Sequence, residues 1–484
     1  MAKFITDIIG GNLLKLLVVC QYFYPEQFQI NDVCFNLAGK GHEVTVLTGL
    51  PNYPQGEIHI GYNWEELEKI EQSGIKLHTT GLHYDHNLNA YIENIHGVKV
   101  VRVNLRPRLK GKKNLAKNYL SFINEGNNVA SAMAQMYNKD LEKGCEDTSE
   151  YNFDKIIVFQ YSPVTMALPA ITFRNQIETN IPIYIYCFDL WPESIVLSGV
   201  SKFSPVYLGM KLLSKHIYSQ AEEIWISSHN FEKYFSEKLK LDKTYHYLPI
   251  YAEQLFLRKK NTVKNSQECE NDISTVDEVE LEDNAECEGY ENVIQTSRKP
   301  TNFLFTGNIE EIHSVETILN ACSLVLKKGY NPVFHIVGDG SLYNKIIDLA
   351  AALDLTNKNV IFYGERQLRD LPDFYDLTDA FLVTLKKNEF ASYTLHEQVQ
   401  NYLAYGKPIV AAIDGETSRV ITEARCGFVG PAENYEALAR NIIRFIDLNA
   451  LDREEYANSS REYYEEHFSQ KSFFENLNEL ITPN

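Results

Sequence analysis

The chain has 484 residues, 44% of them hydrophobic and 23% charged, which is enough for two or three domains with ordinary cores. Its formal net charge of -19 argues against a general nucleic-acid binder, because phosphate is repelled unless basic residues cluster locally. No run of 18 or more apolar residues occurs, so no spanning helix is expected.

In chain order, the first apolar run, 13–20, is interrupted by Lys15 and lacks a small-residue cleavage site. It reads as a strand rather than a secretory leader, and a cytoplasmic protein is expected. Short β-branched runs at 16–20, 44–48, 98–103, 155–161, 182–188 and 223–227 alternate with helical patterns. That alternation predicts βαβ units and a parallel sheet covered on both faces. The style repeats with strands expected at 302–306, 333–337, 360–363, 380–385 and 408–413, and helices at 314–328, 342–353 and 394–405. The organisation expected is therefore α/β: a first doubly wound domain at 1–250, an insert at 251–299 and a second domain at 300–455. A closing helical stretch at 456–484 could pack back on the first domain. Within the insert, 267–292 holds eleven Asp or Glu and no Lys or Arg, and reads as a solvated, disordered segment. The eight cysteines form no CxxC pair. Cys20, Cys187, Cys322 and Cys426 suit small buried hydrophobes, whereas Cys269 and Cys287 fall in the acidic insert.

Several segments carry more than fold. They are QYFYPEQFQINDVCFNLAGKGHEVTVLTGLPNYPQGEIHIGY at 21–62, SPVTMALPAI at 162–171, YIYCFDLWPESI at 184–195 and YLPIYAE at 247–253. FTGNIEEIHSVETI at 305–318, IVGDGS at 336–341, LPDFYDLTDAFLVTLKK at 371–387 and NYLAYGKPIVAAIDGE at 401–416 follow. Together, in this order and spacing, they resemble family 4 glycosyltransferases of bacterial surface polysaccharide synthesis, and within them the L-fucosamine and colanic-acid branch. The resemblance spans nearly the whole chain except the acidic insert. It implies the GT-B architecture: two Rossmann-like domains facing across a cleft, with the nucleotide sugar on the C-terminal domain and the acceptor on the N-terminal one. It also implies transfer with retention, a UDP-linked donor of the N-acetylated amino-deoxysugar kind, and an acceptor on a polyprenyl diphosphate.

A diphosphate sits well at strand-to-helix turns, where backbone N–H groups and the helix dipole favour anions. Gly307-Asn308 and Gly338-Asp339-Gly340 follow two expected strands and are the candidate donor turns, although both also suit tight turns of the fold. The basic residue usual after the first turn in the family is absent. Glu310, Glu311 and His313 stand there, so Arg366, Lys386, Lys387 and Arg419 become the candidate cations. Glu389 and Glu397 have the spacing of the family's two glutamates. Counted back from Gly406, however, the second would fall at Asn401. Glu397 and Glu416 are taken as donor ligands and Glu389 as catalytic. The branch's Pro-x-Lys is replaced by His396-Glu397-Gln398.

In the first half, Asp189 and Glu193 follow an apolar strand whose C-terminal end should face the cleft. They are candidates for binding a sugar hydroxyl or steadying positive charge at the anomeric carbon, with helix capping as the alternative. Pro25, Glu26, Asn31, Asn52 and Tyr53 follow the first two strands and would line the acceptor side or shape its loops. No DxD follows an apolar strand, so no metal is expected. Arg102–Lys117 is basic and free of acid, and leads into Tyr119, Phe122 and Ile123. Arg108, Lys110, Lys112, Lys113 and Lys117 are the candidates for contact with an anionic membrane at the inner face of the plasma membrane. A sugar-nucleotide epimerase and a non-catalytic scaffold remain alternative readings. A nicotinamide dehydrogenase does not, because no GxGxxG follows an expected strand.

Overall fold

The computed structural model describes residues 13–54, 56–72, 81–109, 111–145, 149–197, 199–257 and 300–482. Lys110, Cys269, Cys287 and the acidic insert lie outside them. Among the described residues the strands form two sheets, one in each half of the chain.

The first sheet contains β1 (Lys15–Val19), β2 (Glu43–Gly49), β3 (His83–Asp85), β4 (Ala90–Ile95), β5 (Val98–Val103), β6 (Lys155–Gln160), β7 (Ile183–Cys187), β8 (Glu223–Ile226) and β9 (Thr244–Tyr247), in the order β3-β4-β5-β2-β1-β6-β7-β8-β9. The pairing is parallel from β5 to β9, which is why strands such as KLLVV are apolar on both faces. The antiparallel hairpin β4–β5 and its neighbour β3 were not expected from sequence. The hairpin turns at His96-Gly97, both with positive φ, the conformation a two-residue turn between twisted strands requires. One face of the sheet is covered by α1 (Gln29–Gly39). The other is covered by α2 (Lys112–Glu142) and α3 (Pro205–Ser219), whose Phe122, Val129, Ile217 and Tyr218 share one core.

The second sheet is wholly parallel. It contains β10 (Asn302–Thr306), β11 (Val333–Val337), β12 (Val360–Phe362), β13 (Ala380–Thr384), β14 (Ile409–Ala412) and β15 (Gly427–Gly430), in the order β12-β11-β10-β13-β14-β15. Its helices include α4 (Val315–Lys327), α5 (Tyr343–Ala352) and α6 (Glu397–Tyr405). The helix expected over 394–405 is α6, which starts at Glu397, and a separate short helix, Glu389–Tyr393, precedes it. The closing stretch is likewise two helices, α7 (Ala450–His467) and α8 (Gln470–Ile481), separated where Ser469 caps the second by accepting from the Ser472 N–H at 3.2 Å. Tyr464 of α7 packs in the second domain, whereas Phe473, Phe474, Leu477 and Ile481 of α8 return to the first, under the α1 face. Among the described residues the chain therefore crosses between domains twice, once before Phe256, which stacks on Tyr375, and again at Ser469.

One buried ion pair fixes the loops that reach the cleft. Arg102 on β5 is wholly buried and pairs with Glu93 on β4. It also donates to the carbonyls of Gly49 (3.3 Å) and Tyr24, and so ties β5 to the loops after β2 and β1. Arg102 is thus structural and is removed from the basic surface expected from sequence.

Candidate active site

The C-terminal ends of the parallel strands of the second domain open into a cavity of about 810 Å³, a size suited to a small ligand. β10 delivers Gly307-Asn308, β11 delivers Gly338-Asp339-Gly340, and the segment after β12 delivers Glu365 and Arg366. α6 contributes Glu397, Gln398 and Asn401. The first domain and the crossing segment add Tyr53, Glu253 and Phe256. Eight of the residues expected from sequence therefore meet in one place: Gly307, Asn308, Gly338, Asp339, Gly340, Arg366, Glu397 and Tyr53.

The two glycine turns pack backbone to backbone. Gly307 N–H donates to Val337 C=O (3.0 Å), Ile309 N–H to Asp339 C=O (2.8 Å) and Leu342 N–H to Ile309 C=O (3.0 Å). A Cβ on Gly338 would lie 1.9 Å from the Gly307 carbonyl oxygen, so this glycine is required by the turn itself. Around Gly307 there is more room: a Cβ there would come no closer than 3.7 Å to the Gln398 amide or the Phe305 ring.

The electrostatics of the cavity are unusual for a phosphate site. Asp339, Glu253, Glu365 and Glu397 line it, and Arg366 is the one guanidinium or ammonium among the described lining residues. Glu397 accepts from the Gln29 amide of α1 at 2.7 Å; burial raises its pKa and that hydrogen bond lowers it. Glu253 is raised by burial and by the Glu397 charge. Two histidines that sequence reasoning did not place in the site, His313 and His396, also line the cavity. Burial lowers both, His396 to about 4, with His313 as its second cause. His313 Nδ1 and His396 Nε2 are buried without a hydrogen-bond partner. The available signal was position: His313 ends the segment where the resemblance leads one to expect a cation.

Other expected residues are engaged elsewhere. Lys386 pairs with Glu311 (3.1 Å) and Glu316 (3.7 Å). Glu416 is buried, pairs with Arg419 (2.6 Å) and accepts from the His229 N–H. Glu389 does not line the cavity either; Lys238 (2.7 Å) and Lys202 (3.5 Å) of the first domain hold it. Lys202 also pairs with Glu193 (3.0 Å), which accepts from Tyr207 OH at 2.7 Å, so Glu193 and Glu389 belong to an ion chain between domains. Of the three carboxylates expected to be catalytic, Glu193 and Glu389 thus meet at Lys202, and none of the three lines the cavity. Asp189 stands apart beyond β7, its carboxylate accepting from Trp191 Nε1 (3.0 Å) and Ser194 Oγ. Burial raises it to about 6 against these hydrogen bonds.

On the first-domain side, Glu26, Asn31 and Asn52 are buried. Glu26 accepts from the N–H groups of Asn52 (2.7 Å), Tyr53 (2.6 Å) and Phe23 (3.1 Å), and Asn31 bridges Tyr24 N–H and Glu26 C=O. These residues, with Pro25 in the same loop, shape the cleft wall and leave Tyr53 as the member that lines it. Tyr22, Phe28, Tyr53 and Tyr161 form a run of ring contacts at 5.2–5.6 Å. Arg108 lies over the Tyr53 ring at 5.3 Å and donates to Tyr22 OH at 3.5 Å, so it faces this aromatic wall. Among the described residues no group of three or more His, Cys, Asp or Glu side chains is arranged to hold a metal.

Comparison with known proteins follows the same division. Residues 290–463 match the family model Glycosyl transferases group 1. The capsular polysaccharide biosynthesis glycosyltransferase CapM of Staphylococcus aureus is 23% identical over 177 residues, which is 36% of this chain and 44% of that protein. The chain thus spans less than half the length of this relative. Solved structures align along almost its whole length. Sucrose-phosphate synthase from Thermosynechococcus elongatus superposes with a TM-score of 0.59 at 12% identity, covering 97% of this chain and 98% of that one. HepE from Anabaena, solved with UDP and glucose, gives 0.56 at 12% identity over 97% and 99%. The chain has the GT-B fold, and its second half is similar to group 1 glycosyl transferases.

Proposed function

We propose that the chain transfers a glycosyl group from a nucleotide-diphosphate sugar, held by the second domain, to an acceptor presented by the first, in assembly of a cell-surface polysaccharide. The observation that carries this reading is the cavity in which Gly307 and Gly338–Gly340 meet Arg366 and Glu397 at the ends of parallel strands. CapM supports the polysaccharide context, and the UDP bound to HepE supports a uridine nucleotide. Arg366 and the two imidazoles would face the diphosphate, the group that gains charge as the glycosyl bond breaks. Asp189 is the carboxylate left to steady positive charge at the anomeric carbon. We further propose retention, no metal requirement, an amino-deoxysugar donor and a polyprenyl-diphosphate acceptor. The chain would work at an anionic membrane through Lys112, Lys113 and Lys117.

The test is a thermal-shift screen of nucleotide sugars, followed by an assay for acceptor-dependent release of nucleotide diphosphate with and without chelator. Stabilisation by a UDP-sugar and acceptor-dependent release are expected, both surviving chelator. Conversion of the nucleotide sugar to its epimer without acceptor would indicate an epimerase. One observation favours a second reading: four carboxylates against one arginine in the cavity suit a GT-B scaffold that binds no donor. Absence of any nucleotide-induced stabilisation would establish that reading over ours.

A further inference from the structure

We infer that one face of the first domain, formed by the start of α2 and the outer side of α3, docks on an anionic lipid surface. This rests on the membrane reading above and corrects its apolar half: Phe122, expected beside Tyr119 and Ile123 as an anchor, is buried in the core, and α3 supplies the exposed apolar groups instead.

α3 presents apolar side chains to both sides. Tyr207, Ile217 and Tyr218 face the core, yet its outer side and the residues before it also carry large apolar groups. Phe203 is 93% exposed, Leu212 74%, Val206 63% and Leu208 52%. Leu208 and Leu212 are one turn apart, and exposed Lys215 follows on the next turn. A water-facing helix side is ordinarily polar, and an apolar patch of this kind marks an interaction surface.

At the start of α2, Lys113, Lys117 and Leu120 are exposed at i, i+4 and i+7, so they share one side of that helix. The two elements are neighbours. Both pack on the short 3-10 turn Val164–Ala167, and a Cβ on Gly199, just ahead of α3, would lie 3.9 Å from Lys112 Nζ.

Charge selects the partner. The chain carries a net charge of -19, yet neither 94–124 nor 194–221 contains an Asp or Glu. Lys112, Lys113, Lys117, Lys211 and Lys215 belong to these two stretches. Apolar side chains standing out from a helix, with lysines beside them, match a bilayer of anionic lipid, into which the apolar groups insert while the ammonium groups stay at the headgroups. Arg108, a few residues before α2, faces Tyr53 at the cleft wall, so the acceptor side of the cleft would lie close to the lipid.

The test is co-sedimentation of the full chain with phosphatidylcholine vesicles with and without phosphatidylserine. The parent should sediment only with phosphatidylserine present. Phe203→Ser with Leu212→Ser, and Lys113→Ser with Lys117→Ser, should each weaken binding about tenfold or more. Melting temperature and UDP binding should match the parent in both, because these side chains are exposed and do not line the cavity. If only the lysine variant loses binding, α3 takes no part and the inference fails while the membrane reading survives. If the parent does not sediment, both fail. A parent dimer that dissociates in the Phe203/Leu212 variant, without lipid binding, would overturn the inference in favour of a second copy of the chain.

Discussion

Binding of a nucleotide sugar should strengthen as pH falls, and replacing His313 and His396 together by Asn should abolish most of that response. In the free protein both imidazoles are held neutral by burial, His396 with a pKa pushed down to about 4. A diphosphate carries two negative charges to their unpartnered nitrogens, which favours the charged imidazole and raises its pKa in the complex. The sign follows from linkage: a pKa higher in the complex than in the free protein means proton uptake on binding. Affinity then rises as pH falls through the bound-state value and levels off below the free-state value. A hydrogen bond to a charged group contributes about 1.5–3 kcal/mol, so losing one imidazole should weaken binding roughly 10–150-fold at mildly acid pH. Titration calorimetry with UDP-glucose between about pH 7.5 and 5.5, in buffers of different ionisation enthalpy, measures both affinity and protons taken up. The diphosphate diester itself takes up none in this range. Glu253 and Glu397, both raised by burial, face the same cavity and would add their own uptake, but the double Asn variant retains them and isolates the histidine share. Affinity independent of pH in the parent, or an unchanged response in the double variant, would refute the reasoning.

Gly338→Ala should lower stability by more than about 1 kcal/mol, seen as a lower melting temperature, because its Cβ meets the Gly307 carbonyl at a positive φ of 140°. Asp189→Asn should depress turnover more than donor affinity; the parent's turnover should climb as pH rises through about 6, where the carboxylate ionises, and the variant should lack that limb. A pH–rate profile with the same acid limb in both proteins would remove Asp189 from the chemistry. Glu389→Gln should change donor affinity by no more than roughly fivefold, since a half-exposed ion pair contributes at most about 1 kcal/mol. A loss of turnover of several orders of magnitude would restore Glu389 to the catalytic role suggested by its spacing.

Elements dictated by local periodicity were legible in the sequence. Runs such as KLLVV and VFHIV are apolar on both faces because both sheets are covered on both sides, and they stand where the pattern puts them. The turns at Gly307 and Gly338 were legible for the same reason: a strand that ends in glycine at the C-terminal edge of a parallel sheet lies at the crevice whatever it binds. The hairpin at Ala90–Ile95 escaped notice although its His96-Gly97 turn is a local signal. What sequence cannot show is how charges pair. Arg102, Arg108 and Lys113 lie in one basic stretch, yet the first is buried against Glu93, the second faces Tyr53, and the third is exposed. Glu389 and Glu397 have the spacing of a motif, but one is held by Lys202 and Lys238 while the other lines the cavity. In both cases the partner lies far along the chain, and the difference in free energy between a paired and an unpaired charge is what assigns the role. Lys386 and Arg419 already have carboxylates, so of the four cations proposed for the diphosphate only Arg366 lines the cavity, and the two imidazoles held neutral by burial are the groups beside it that can gain positive charge when phosphate binds.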